Sequence, residues 1–219
     1  MKTSAIISGT CLALLLAVNG YAQDTETPAP VADPRTKIYF GVRAGANNSN
    51  VYDEKGEEFR PQPKYGFAGG LFASLPISKY LGMQPEVLLS QKGFYATGMS
   101  LGSEYNFKRT GTYLDVPIML AVKPYRYFSI LAGPQYSYLL KQHDVFVDEF
   151  MTSDQVSEFK NDDIRRNVLG ATVGFDVAVR HVVVGARYSF DLQRNNGDGT
   201  SDTPRYKNAW VQGSVGLRF

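Results

Sequence analysis

Residues 182–193 read Val182, Val183, Val184, Gly185, Ala186, Arg187, Tyr188, Ser189, Phe190, Asp191, Leu192, Gln193. Val182, Val184, Ala186, Tyr188, Phe190 and Leu192 share one parity, and Gly185, Arg187, Ser189, Asp191 and Gln193 the other. A period of two with an apolar and a polar set is a strand with two unlike faces. Segments of the same kind run over roughly 37–47, 64–77, 81–95, 105–123, 126–140, 165–179, 182–194 and 207–219, eight in all. Several exceed the five or six residues of an average soluble strand. They match the roughly 9–11 that a tilted strand needs to cross a bilayer.

The connections alternate in length. Long polar ones fall at 48–63, 96–104, 141–164 and 195–206, and tight ones at 78–80, 124–125 and 180–181. Long and short loops therefore lie at opposite ends. The pattern predicts an all-β fold: an eight-stranded antiparallel up-and-down transmembrane β-barrel with short periplasmic turns and long extracellular loops.

Alternation alone does not say which face points inward, since a soluble ligand-binding barrel would put its apolar face inside. Residue size bears on the choice. The apolar faces carry Ile38, Phe40 and Val42, then Leu114, Val116, Ile118, Leu120 and Val122, then Leu169, Val173, Phe175 and Val177. The polar faces mix small and charged residues: Gly41, Arg43 and Gly45, then Tyr113 and Asp115, then Gly170, Thr172 and Gly174. An eight-stranded bore is just wide enough for side chains to fill, so glycines there make room for long ions. Aromatic residues gather at the segment ends. Tyr80, Tyr125, Tyr127, Phe128 and Phe219 fall beside the short turns, and Phe94, Tyr95, Tyr136, Tyr138 and Trp210 nearer the long loops, which predicts two membrane-interface girdles.

The N-terminal residues carry a different signal. Lys2, the apolar run Ile6 to Val18 and the small-x-small triplet Gly20-Tyr21-Ala22 predict a signal peptide over residues 1–22, cleaved before Gln23. Residues 23–36, with Pro28, Pro30 and Pro34, read as a flexible periplasmic tether, and residues 37–219 as the barrel domain. The sole cysteine, Cys11, lies in the signal segment, so the mature chain of 197 residues offers no thiol for a disulfide, a zinc site or a nucleophile. The near-neutral charge, +2 over the whole chain, gives no nucleic-acid footprint.

Four stretches carry a family resemblance: Gly41 to Asn47 (GVRAGAN), Met83 to Gly93 (MQPEVLLSQKG), Tyr113 to Leu120 (YLDVPIML) and Ala132 to Leu139 (AGPQYSYL). In this order they resemble the PorT-like outer-membrane β-barrel family, also known as Bacteroidetes-type porin-family proteins. The resemblance implies a Gram-negative outer membrane and an eight-stranded barrel. It implies little about activity, since most members have no assigned chemistry and a minority serve in protein secretion. The last residues, Gln212 to Phe219, resemble the signal read by the barrel-assembly machinery, with Phe219 as the terminal aromatic, Leu217 in phase with it, and Ser214 where that pattern usually has glycine.

Charged residues on the polar faces are Arg43, Glu86, Lys92, Asp115, Asp176, Arg187 and Asp191. Counted from the short turns, Arg43, Glu86, Asp115 and Arg187 fall at comparable heights. Together with Asp191 they form the expected lumen charge network, pairing and occluding the bore. No catalytic residue is assigned. His181 falls in a short turn, and His143, beside Asp144, has no nucleophile motif near it. Asn196 to Asp202 superficially resembles a calcium loop, but Arg194 and Arg205 stand where its first and last carboxylates belong. No metal or cofactor is expected.

Residues 142–163 hold seven acids against Lys160, an acidic outer loop suited to solvation, to cation bridges with lipopolysaccharide phosphates, or to a basic partner. The expected partners are outer-membrane lipid and lipopolysaccharide, the assembly machinery during biogenesis, and an unidentified protein. The leading functional expectation is a non-enzymatic structural or interaction role with a plugged lumen. A narrow passive channel is the alternative and a soluble ligand-binding barrel the third.

Overall fold

In the computed structural model, residues 33–52, 60–100, 103–147, 152–157, 165–195 and 206–219 are described. The signal-peptide segment and the tether up to Ala32 lie outside them.

After a 3-10 turn at Pro34–Thr36 come nine strands: β1 (Tyr39–Tyr52), β2 (Arg60–Pro76), β3 (Leu81–Ser100), β4 (Ser103–Tyr125), β5 (Phe128–Val147), β6 (Thr152–Ser157), β7 (Asn167–Val179), β8 (Val182–Asp191) and β9 (Lys207–Arg218). Pairing runs β4-β3-β2-β1-β9-β8-β7-β5, and β4 also pairs with β5. The sheet is therefore a closed antiparallel eight-stranded barrel, with β6 added on the outer part of β5 between Gln142↔Ser157 and Val147↔Thr152. Closure leaves no edge within the barrel and gives each backbone amide a neighbour, the condition for crossing hydrocarbon with strands.

The barrel is inside-out. Phe40, Leu71, Leu89, Ile118, Phe175 and Val215 are exposed on its outer surface, while Arg43, Glu86, Asp115, Asp176 and Arg187 are buried in the bore. An apolar exterior this extensive has no place in water, and a soluble ligand-binding barrel with its apolar face inward is excluded. Inside, apolar packing is confined to small groups. Met119, Ala121 and Leu131 form one cluster, and Val51, Phe94, Ala96 and Tyr206 another, with Phe107 packed against it.

Three departures from the sequence reading have clear causes. The tight turn after β4 falls at Arg126–Tyr127, not 124–125: the ladder shifts between Val122 and Tyr125, so Pro124 sits in an irregularity that needs no amide donor. The 96–104 connection is mostly strand, since β3 and β4 pair out to Ser100↔Ser103. β6 falls within what reads as a polar loop. Beyond the membrane both faces of a strand are wet, so alternation fades while pairing continues.

Before β1, Asp33 caps the 3-10 turn by accepting a hydrogen bond from the Arg35 amide, and its carboxylate meets the Arg35 guanidinium at 2.6 Å. The Arg35 side-chain and backbone hydrogen bonds hold the Asp33 carboxyl well below the usual carboxylate range. Arg35 also lies 4.9 Å over the ring of Tyr80. These contacts tie the start of the described chain to the short-turn end.

Candidate functional site

Period-two alternation sends Arg43 of β1, Glu86 of β3, Asp176 of β7 and Arg187 of β8 into the bore, where each is at most 4 % exposed. They meet as a tetrad. Asp176 accepts from Arg187 NH1 at 2.8 Å, from Arg187 NH2 at 3.0 Å and from Arg43 NH2 at 3.0 Å. Glu86 Oε1 lies 3.2 Å from Arg187 NH2 and 3.4 Å from Arg43 NH1. Gln84 Nε2 donates to both carboxylates, at 2.9 and 2.8 Å. Two guanidiniums and two carboxylates balance in charge, and Arg43 also lies 4.5 Å over the Phe72 ring.

The sequence provides room for these groups on the adjacent strands. Gly185 faces Asp176 and Gly174 faces Arg187 in the β7–β8 ladder. A Cβ on Gly185 would lie 2.1 Å from Asp176 Oδ1, and one on Gly174 would lie 2.9 Å from Arg187 Cδ. Each glycine holds open the space that its charged neighbour fills.

Around the barrel β3 and β8 are four strands apart in either direction, so the Glu86–Arg187 bridge spans the full bore. Farther out, Lys92 Nζ lies 2.8 Å from Asp115 Oδ1 and 3.1 Å from Ser137 Oγ. The same ammonium sits 3.7 Å over the Trp210 ring and 4.6 Å over Tyr113. Near the outer mouth Arg109 binds Asp144 through NH2 at 2.7 Å and the Tyr206 hydroxyl at 3.2 Å. Phe94 packs edge-on against Tyr206 at 5.1 Å.

Of the five residues expected in one lumen network, the structure brings together Arg43, Glu86 and Arg187. Asp115 is not with them. It lies opposite Leu88 on β3, one inward position beyond Glu86, and its partner is Lys92. Asp191 is also elsewhere: its carboxylate accepts from the Asn208 side chain at 2.6 Å and the Asn208 amide at 3.2 Å. Asp176 completes the tetrad, and Gln84 bridges its two carboxylates. Asp176 is recognisable as a lumen charge from its parity, but counting from the turns neglects strand stagger, which decides the heights.

Trp210 is a second correction. It is 3 % exposed inside the bore, because it shares parity with Asn208 and Gln212 rather than with Val211 and Val215. Phe94, likewise expected near the outer girdle, is buried in the bore. Tyr80, Tyr125 and Tyr127 are exposed at the short-turn end, with Phe128 half-buried beside them. Tyr136 is exposed on the outer face of β5 and Tyr138, of the same parity, is half-buried. Leu217 and Phe219 are both exposed on the outward face, and Phe219 exchanges backbone hydrogen bonds with Phe40. His181 Nδ1 lies 3.0 Å from the Arg218 carbonyl. Residues 196–202, and residues 148–151 and 158–163 of the acidic outer loop with five of its seven acids, lie outside the described residues. Among the described residues, no group of three or more potential metal ligands occurs.

The family model described as "Outer membrane protein beta-barrel domain" matches residues 21–195. No curated protein matches the chain. Among solved structures, the chain is similar to Ail, the attachment invasion locus protein of Yersinia pestis, at 15 % identity and TM-score 0.44, over 83 % of this chain and 98 % of that one. Neisserial surface protein A is similar at 14 % identity and TM-score 0.45, over 82 % and 97 %. OprG of Pseudomonas aeruginosa is similar at 14 % identity and TM-score 0.42, over 83 % and 95 %. With most of its length matched by that family model and its strands closed into an inside-out barrel of eight, the chain belongs to the outer-membrane β-barrel domain family and resides in the cell outer membrane.

Proposed function

We propose that this protein is a non-enzymatic outer-membrane barrel with a structural or interaction role and a bore closed to solutes. The observation that carries the reading is the Glu86–Arg187 bridge across the full width of the bore, locked on both sides by Arg43 and Asp176. The Lys92–Asp115 pair beneath Trp210 fills the next section outward. Within the broad family we assign the chain to the PorT-like group on its four sequence stretches. Its expected partners are lipopolysaccharide and a protein partner, with Leu217 and Phe219 read by the assembly machinery.

The competing reading is a narrow passive channel. It draws on the polar lining outside the tetrad, where Ser90, Gln135, Thr172, Ser189 and Gln212 are all buried in the bore. Planar-bilayer recording on refolded full-length mature protein decides between them. The plugged barrel gives no unitary conductance, and the Glu86→Ala/Arg187→Ala double variant introduces it. Discrete conductance steps from the unaltered protein would establish the channel.

A further inference from the structure

Inward of the tetrad, toward the short turns, the bore ends in an open cavity of about 30 Å³. Gln84 and Asp176 form its floor, and Ser74, Lys123 and Arg218 line its walls. Lys123 is 5 % exposed. Among the described residues, its ammonium makes one hydrogen bond, to the Ser74 hydroxyl at 3.3 Å, and has no carboxylate within ion-pair distance. Arg218 donates from Nε to the Arg180 carbonyl at 2.8 Å and lies 4.3 Å from the centre of the Tyr39 ring, and among the described residues its charge is also met by no acid. The nearest acid in the lining, Asp176, is already engaged by Arg43, Arg187 and Gln84.

The site is shaped as well as charged. Gly82 lies across the ladder from Ala121 of β4, and a Cβ on it would come within 3.3 Å of both Lys123 Cε and Nζ. The missing side chain leaves the lysine room to lie along the wall. A buried cation without a counter-charge is costly unless something from outside completes it.

We propose that this periplasmic mouth is an oxyanion-binding site, which takes a phosphate or carboxylate group from the periplasmic side on Lys123 Nζ, with Ser74 as hydroxyl donor and Arg218 as second cation. Phosphate and carboxylate suit it because both offer several acceptor oxygens to convergent N–H and O–H donors. The site does not depend on the plug above it, since a bore that conducted would leave Lys123, Ser74 and Arg218 in place.

The test is denaturant unfolding of the full mature protein in a phosphate-free non-ionic detergent, with potassium phosphate compared against chloride at equal ionic strength. Phosphate stabilises many proteins by exclusion from their surfaces, so the reading is the difference between the protein and its Lys123→Gln variant. At a concentration about 100 times the dissociation constant, phosphate raises the folded-to-unfolded ratio of the unaltered protein by about 100-fold beyond its effect on the variant. In chloride, Lys123→Gln is at least as stable as the parent, because it removes an uncompensated charge. Ser74→Ala, which keeps the cations, shows a weakened phosphate effect and serves if the glutamine variant fails to refold. An acetate arm reports the carboxylate, and micelles containing phosphatidylglycerol without free phosphate report a lipid source. An equal phosphate response in parent and variants, or a stability loss in Lys123→Gln that is the same with and without phosphate, would overturn the proposal.

Discussion

At the scale of single residues, the tetrad makes two opposite predictions. Arg187→Ala takes two hydrogen bonds from Asp176 and one from Glu86 in a buried site. The expected loss is about 3–5 kcal/mol in urea unfolding of the refolded barrel. Replacing all four members with apolar residues of similar volume removes the desolvation cost along with the pairing, and the expected change is small or stabilising. Among the described residues the Nε atoms of Arg43 and Arg187 have no hydrogen-bond partner, which already weighs against a large net gain from the ions. If the fourfold variant unfolded as readily as Arg187→Ala, the charges themselves would be the source of stability.

At the scale of elements, the β7–β8 turn is the sharpest case. Arg180 has φ of +53° in a two-residue connection between the paired Val179 and Val182. That position favours glycine, and an L side chain there costs about 1–2 kcal/mol. Arg180→Gly relieves this at an entropic cost of about 0.5–1 kcal/mol, and keeps the carbonyl that accepts from Arg218. A net gain of about 0.5–1 kcal/mol in unfolding free energy is expected. The same hairpin shows what was legible in the sequence. Val182 to Leu192 display their two faces plainly because one meets lipid and the other the bore, and that contrast alone places both strands of the turn. Residues 141–147 of β5 and the whole of β6 give no such sign, since pairs such as His143↔Val156 sit on polar sequence without alternation. Parity also identified every member of the tetrad as a lumen charge. It could not match Asp176 with Arg43, because their meeting depends on stagger accumulated over three intervening strand pairings. Trp210 has the residue type of an interface girdle but the parity of the lumen, and parity decides its place.

For the molecule as a whole, stability in the membrane and delivery to it are separate requirements, and Phe219 distinguishes them. The residue is 71 % exposed on the outward face, and the chain there is held by backbone pairing with Phe40. Loss of one large apolar side chain from a lipid contact is worth about 1.5–3 kcal/mol, so Phe219→Ala refolds in detergent with modest destabilisation. In cells, the proposed reading of Phe219 by the assembly machinery predicts a larger effect: insertion falls sharply and unassembled protein collects in the periplasm. Fractionation combined with mobility of unheated and boiled samples measures this. Unchanged insertion alongside reduced stability in detergent would make Phe219 an interface residue only.

The lumen ions also bear on how the first strand finds the last. Sliding β1 along β9 by two residues would leave Phe40 and Val42 facing lipid, so the apolar exterior accepts any closure displaced by an even step. Each such step carries Arg43 about 6.7 Å along the wall, out of reach of the Asp176 oxygen it now meets at 3.0 Å, and leaves that buried carboxylate one guanidinium short. Lipid sorts odd from even, and the charges do the counting.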